Sequence, residues 1–295
     1  MIAFFANIFG LVLNFVYEIV QNYGIAIILF TIIIKLLMLP ITIKQQKTMQ
    51  KTAKVQEKMK EIQLKYKNNP EKLNQETFEL YKSENMNPFG GCFTAIAQII
   101  LLFAVFYLVR SPLTYMKKVD AGIIEKYQKI AIDNNLTTNS AYPEIEIIRE
   151  LDNIKKIENT GNEEIELMNI NMEFFGLNLA QVPTQATDWK AYIIPVLYVL
   201  VSIMSMKIIN PTVNNKTKNE NLVENNEEKS LANKEDEIDA MAQMNKNMNF
   251  MMPIMYVTVA LVAPLGLALY WLTNSLLMIV EKLALNKLLK NEEEK

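Results

Sequence analysis

The sequence predicts an all-α polytopic membrane protein, with five transmembrane helices around a hydrophilic groove and a cytoplasmic antiparallel helical hairpin. Three observations lead there. The 295 residues are 51% hydrophobic and the mean hydropathy is slightly positive. Charged residues fall in blocks separated by long stretches that hold none, an arrangement of spans and loops rather than of a soluble core. Little chain is left for a soluble domain once the apolar stretches are set aside.

Composition also narrows the chemistry. The sequence has no histidine and a single cysteine, Cys92, so Cys/His metal sites and internal disulfides cannot be built. A formal net charge of -2 lacks the basic footprint of a nucleic-acid binder. The chain carries no phosphate-binding glycine loop, dinucleotide fingerprint or zinc-protease motif, and so offers no cofactor or fuel site.

Residues 1–22 are apolar, with polar breaks at Asn7, Asn14, Glu18 and Gln21 that gather on one weakly polar helical face. This reads as a retained interfacial helix; it resembles a signal segment but lacks a basic n-region and a clear cleavage site. Tyr23 to Ile43 is the first span, with Lys35 as its only charge. Its 21 residues extend about 31 Å as a helix, enough for a hydrocarbon core. Pro40 lies near one end, where a lost helix bond is tolerated.

Residues 44–87 hold ten lysines and six glutamates. Met49, Ala53, Val55, Met59, Ile62 and Tyr66 form one apolar stripe, and Leu73, Thr77, Leu80 and Tyr81 a second. Asn68, Asn69 and Pro70 break the helix between them, which predicts an antiparallel helical hairpin in water. Lys44, Lys47, Lys51, Lys54, Met59 and Pro70 are its candidate working residues. The second span, over 88–110, follows the flexible entry Asn87-Pro88-Phe89-Gly90-Gly91 and contains Gln98.

Residues 111–190 form a long polar region with eight basic and thirteen acidic residues, too charged to span. It reads as a partly helical loop, with helix near Ile145–Ile157. The third span, 191–208, is short and interrupted by Pro195. Residues 209–247 are Asn- and Glu-rich and read as a flexible loop. Met248 to Val280 is a run of 33 residues without a charge, too long for one span. Pro264-Leu265-Gly266 divides it, giving spans at 248–263 and 264–282 and a tail at 283–295. The lysines of 44–87 place that segment in the cytoplasm. Span parity then puts the amino terminus and 111–190 outside, and the carboxyl terminus inside, in a multi-pass membrane protein.

Lys35 is the most telling residue. A cation near the middle of a span is costly and normally faces protein or a water-filled cavity; near a span end it would snorkel instead. Thr31 lies one turn away on the same face. Gln98, Ser202, Ser205, Thr273, Asn274 and Ser275 are polar groups of the other spans that could share a cytoplasm-open cavity. No acidic partner for Lys35 is expected within the core spans, which suits a transient anionic visitor.

The motifs resemble those of the YidC/Oxa/Alb family of membrane protein insertases, in its short, five-span Gram-positive form. The charge followed by Leu-Leu-Pro is similar to Lys35-Leu36-Leu37-Met38-Leu39-Pro40. The Asn-Pro-x-x-Gly-Cys entry and the later glutamine match Asn87 to Cys92 and Gln98. Tyr192-Ile193-Ile194-Pro195, Phe250-Met251-Met252-Pro253 and Pro264 through Asn274 match the remaining spans in order. Several features depart from the pattern. The usual arginine is Lys35, which loses the planar fork of donors. Phe93-Thr94 replaces Leu-Pro, the region before Tyr192 is longer and more acidic, and the lipid-anchored cysteine of some members has no counterpart.

The resemblance implies an insertase without catalytic chemistry. Its groove would receive the hydrophilic outer segment of a client, with Lys35 attracting acidic residues there, and the client helix would leave along spans one, two and the last. Its implied partners are newly made membrane proteins, lipids, and in some settings the ribosome and the general secretion channel, with no nucleic-acid specificity. A small-solute transporter and a non-inserting assembly factor are the competing classes. The missing buried carboxylate and the absence of inverted repeats weigh against the transporter.

Overall fold

The computed structural model describes residues 1–66, 69–84, 90–137, 141–158, 163–209 and 255–293. The expected loop at 209–247 and the first half of the span at 248–263 lie almost wholly outside them. The fold is a helical bundle closed at one end by a small cap.

Helix α1 (Ile2–Val20) ends at Gln21, whose left-handed backbone (φ 51°) turns the chain and whose N–H bonds back to the Tyr17 carbonyl. Helix α2 (Tyr23–Lys65) starts at once, capped by the Asn22 side chain, which accepts from the Ile25 N–H at 3.1 Å. It runs 43 residues, about 65 Å, straight through Pro40. The division expected between the span at 23–43 and the hairpin at 44 therefore has no break in it. The lysines, glutamines and glutamates beyond Ile43 are good helix formers, and Pro40 removes only one backbone bond.

Helix α3 (Pro70–Ser83) begins with proline at its first position and with Asn69 capping the Lys72 N–H. It folds back along the far part of α2 as an antiparallel hairpin. Thr77 donates to the Met59 sulfur at 3.5 Å, the Tyr66 hydroxyl to Glu76 at 3.0 Å, and Lys58 pairs with Glu84 at 2.5 Å. Val55 and Leu80 are its buried apolar contacts. The two expected stripes thus face each other.

Helix α4 (Gly90–Arg110) returns through the bundle. The segment 111–190 is more structured than a partly helical loop. Five short helices follow one another: α5 (Pro112–Tyr115), α6 (Ala121–Asp133), α7 (Pro143–Arg149), α8 (Leu151–Glu158) and α9 (Glu163–Met168). Their apolar residues share a core with no exposure at Leu113, Tyr127, Ala131, Ile154, Ile165 and Met168. Glu150 divides the helix expected over Ile145–Ile157 into two. A two-stranded hairpin, β1 (Glu173–Phe174) and β2 (Leu177–Asn178), closes the cap. Its turn residues Phe175 and Gly176 both have positive φ, as a tight two-residue hairpin turn requires.

Helix α10 (Ile193–Ile209) follows a 3-10 turn at Trp189–Tyr192. Pro195 is its third residue, where the N–H would have no helical partner anyway, so the expected interruption does not occur. Helix α11, described over 255–262, stops at Ala263-Pro264, and α12 (Leu265–Glu293) starts immediately. Over its described part, 255–280, the charge-free run is divided at Ala263-Pro264 into two helices, and the second carries on through most of the tail. Among the described residues, Ile2–Val20, Tyr23–Thr52, Trp189–Met206 and Leu265–Lys287 are long and apolar enough to cross a membrane. α12 packs on both α10 and α2, and α1 packs between α2 and α4.

Candidate functional site

The cap fixes the depth of the two helices that carry the charged pair. The first N–H groups of any helix lack helical partners. Here cap carbonyls supply them: Asn171 accepts from Tyr23 at 3.0 Å, Gln181 from Leu265 at 2.9 Å and Leu179 from Gly266 at 2.9 Å. The Asn22 side chain donates to the Glu173 carbonyl at 2.6 Å, and the Asn171 N–H donates to the Tyr17 hydroxyl at 2.8 Å. A side chain on Gly24 would collide with the Phe174 ring, its Cβ falling 2.4 Å from a ring carbon. α2 and α12 therefore start side by side, at one level, and run parallel away from the cap.

Counting along the helices from that level places the expected polar residues in one layer. At 1.5 Å per residue, Thr31 and Thr273 lie about 12 Å from the cap end of their helices. Asn274 and Ser202 lie at about 14 Å, and Lys35 and Ser205 at about 18 Å, by the same rise. Gln98 on the antiparallel α4 also falls at about 18 Å; its side chain is outside the described part. α12 is the element that α2, α4 and α10 all touch, and it carries Thr273 and Asn274.

Within that layer the side chains differ. Thr31 and Thr273 are buried and donate to carbonyls of their own helices, Ile27 at 2.6 Å and Leu269 at 2.9 Å. Their polarity is already satisfied, so they contribute less to a wet surface than expected. Asn274 is half-buried. Ser202 and Ser205 are buried, and their hydroxyls have no hydrogen-bond partner among the described residues. Unpaired buried hydroxyls are costly unless water or a ligand group meets them.

Lys35 is not unpaired. Its Nζ lies 3.2 Å from Oε2 of Glu281 on α12, which corrects the expectation of a cation without an acidic partner. Glu281 stands one residue past the charge-free run, and its α-carbon is about 24 Å from the cap end, one turn deeper than Lys35. The two long side chains together bridge that difference, which straight counting along each span overlooks. The Lys35 side chain keeps 26% of its exposure and Glu281 only 10%. The second carboxylate oxygen, Oε1, is buried without a partner among the described residues. Further from the cap, Gln46 donates to Asn286 at 3.4 Å, a long bond between the same two helices.

The hairpin residues are placed as follows. Lys44 and Lys51 are exposed on the continuous α2, as is Lys47, and Lys54 lies in the same helix. Met59 is half-buried under Thr77, and Pro70 opens α3.

Apolar helices with much of their surface exposed, polar side chains at similar depth on three of them and a hairpin beyond define a polytopic membrane protein. The 60Kd inner membrane protein family matches residues 15–293, and the chain belongs to that family, the YidC/Oxa/Alb insertases. It is 28% identical over 270 residues to the membrane protein insertase YidC of Fusobacterium nucleatum, covering 92% of this chain and 89% of that protein. It is 41% identical over 102 residues to YidC of Caldanaerobacter subterraneus, covering 35% of this chain and 50% of that relative. Over 94 residues it is 47% identical to YidC of Prosthecochloris aestuarii, covering 32% of this chain but only 16% of that longer protein. Glu281 removes the missing carboxylate as an argument against a transporter; family membership now carries that argument.

Proposed function

We propose that this chain inserts and helps fold integral membrane proteins by drawing the hydrophilic segment of a client onto Lys35, in a groove open to the cytoplasm. The observation that carries this is the cation itself: it is partly exposed and lies deep in an apolar helix, with Ser205 at its depth and Ser202 and Asn274 about 4–5 Å nearer the cap. A wet polar layer lowers the cost of carrying polar groups partway across hydrocarbon. The chemistry needed is positioning and charge, with no bond made or broken.

The lysine-rich hairpin lies in the cytoplasm and meets clients first, the ribosome being a further partner there. The cap, the amino terminus and the starts of α2, α10 and α12 face outward, and α12 ends in the cytoplasm. α1 serves as an interfacial helix. That reading is supported by contacts spread along its length to residues just past the end of α4. Lys118 bonds Asn7, the Tyr115 carbonyl abuts Gly10, and Lys117 pairs with Glu18 at 2.8 Å.

The test is insertion of a small single-span client into vesicles containing the purified chain. Lys35→Arg retains insertion and Lys35→Ala reduces it. Equal activity of the alanine variant sinks the role of the cation. Cysteine placed at position 35, after Cys92 is replaced by serine, is labelled by a membrane-impermeant thiol reagent from the cytoplasmic side. A folded variant that stays unlabelled counts against an aqueous groove.

A further inference from the structure

Glu281 has the geometry of an occupant rather than of a clasp. A carboxylate that held α2 to α12 for stability would use both oxygens, because a buried ion pair offsets its desolvation only when its remaining lone pairs are satisfied. Glu281 uses one, at 3.2 Å, and its Oε1 is buried without a partner among the described residues. Lys35, by contrast, keeps a quarter of its side-chain exposure, which leaves the cation more open to a second carboxylate than Glu281 is to a second cation. The neighbouring apolar side chains do not close over the pair: Leu36 and Leu37 on α2 are 63% and 67% exposed, and Val280 on α12 is 63% exposed.

We propose that Glu281 is a resident stand-in for the client carboxylate, holding Lys35 between clients and setting how acidic a client segment must be to displace it. The inference rests on the reading of Lys35 as the client-binding cation. Exchange replaces one carboxylate by another at the same Nζ. The displaced Glu281 lies about one turn nearer the hairpin end than Lys35, where water receives it. An internal competitor reduces the apparent affinity of any external ligand by the fraction of time the site is free. A segment with one carboxylate therefore meets an opponent of equal charge that is already in place. A segment with several carboxylates has more than one that can win the exchange. A neutral segment gains nothing from a free lysine.

The experiment uses the full chain in phospholipid vesicles and two single-span clients that differ only by aspartate or asparagine in the outer segment. Glu281→Gln should raise insertion of the aspartate client about three- to tenfold, the factor expected when a partly exposed ion pair no longer competes. Insertion of the asparagine client should not change. Glu281→Asp, which withdraws the carboxylate by one methylene, should raise the aspartate client by less. Its response stands in for the glutamine variant if that variant does not fold. If both clients lose insertion equally and the melting temperature falls, Glu281 is a structural tie and the inference is overturned. No gain with either variant overturns it as well. Lys35→Ala separates the two levels. If it lowers the aspartate client while Glu281→Gln brings no gain, only the stand-in role fails. If it leaves both clients as in the parent chain, the cation reading fails and the inference with it.

Discussion

The two ends of the bundle are built differently. Toward the cap, the inner face of α2 is sealed: Tyr23, Ala26 and Ile27 have no exposure and Phe30 has 1%, while Ile25 and Leu29 on its other face are exposed. α12 matches it there with Leu265, Leu267 and Ala268. Toward the hairpin the same two helices open. Leu36, Leu37 and Ile41 on one, and Leu276, Val280 and Leu283 on the other, are exposed, with Leu285 an exception. Cap carbonyls and close-packed side chains join the helices at the first end. At the second, the described residues join them through a half-satisfied ion pair and a long amide bond. Rigidity and access are thus divided along the length of the same helices. The sealed end sets the depth of Lys35 and Glu281, and in the proposed function the open end is where a client reaches them.

If that division is right, damage to the cap should cost stability far more than damage beyond the polar layer. The largest effect is expected from Ile154→Ala in the cap core. A fully buried isoleucine truncated to alanine loses about 2–5 kcal/mol, read as a fall in the melting temperature of the detergent-purified protein. Val55→Ala in the hairpin is the counterpart. It should leave the main unfolding transition in place and raise proteolysis between α2 and α3. Equal shifts in melting temperature from the two substitutions would erase the distinction between the ends.

A smaller effect is expected from Gly24→Ala. The added methyl collides with Phe174, and overpacking of this kind costs about 1–3 kcal/mol. Because the hairpin strand that carries Phe174 follows the Asn171 acceptor for Tyr23, the substitution should also disturb the depth of α2. The check is double: a lower melting temperature, and reduced labelling of a cysteine at position 35. A lower melting temperature with unchanged labelling would show that the cap stabilises the bundle without setting its depth.

Much of this was legible in the sequence. Period and charge blocks revealed the spans, the Asn69-Pro70 start of α3 and the break at Pro264, because each rests on local backbone chemistry. Lys35 was legible because an isolated charge in apolar sequence stands out. The cap was not. Its helices are four to thirteen residues long, and Ile147, Ile154, Ile165 and Met168 come together only through tertiary packing. Glu281 was missed for another reason. It falls inside the span at 264–282 but one residue past the charge-free run, so a reading of that run alone passes over it; setting it beside Lys35, 246 positions away, also needs the relative depth of the two helices, which cap carbonyls fix. Thr31 and Thr273 are legible as polar residues but not in their bonding: each hydroxyl donates to its own helix backbone, a ready acceptor for any helical threonine.

The smallest effect concerns how the cap responds to pH. Glu144 is buried at the start of α7, where it accepts from the Thr114 N–H at 3.0 Å and the Thr114 hydroxyl at 2.6 Å. Burial raises its carboxyl above the usual carboxylate range, and the Thr114 bonds oppose that rise only in part. A carboxyl whose folded value is raised binds its proton more tightly in the folded state. Its contribution to stability is therefore fully present below the unfolded value and is lost as pH rises through the folded one. At the surface of the same cap, Glu164 is held below its ordinary value by Lys126 and Tyr127 and acts in the opposite sense, losing its contribution as pH falls. Glu144→Gln keeps an acceptor for Thr114 but has no proton to bind. The variant should lose the part of the parent's stability that fades from mildly acidic toward neutral pH, while the acid-side loss from Glu164 persists. Melting temperatures of parent and variant across that range give the comparison. Parallel curves would mean that Glu144 is ionised in the cap, with Thr114 outweighing its burial.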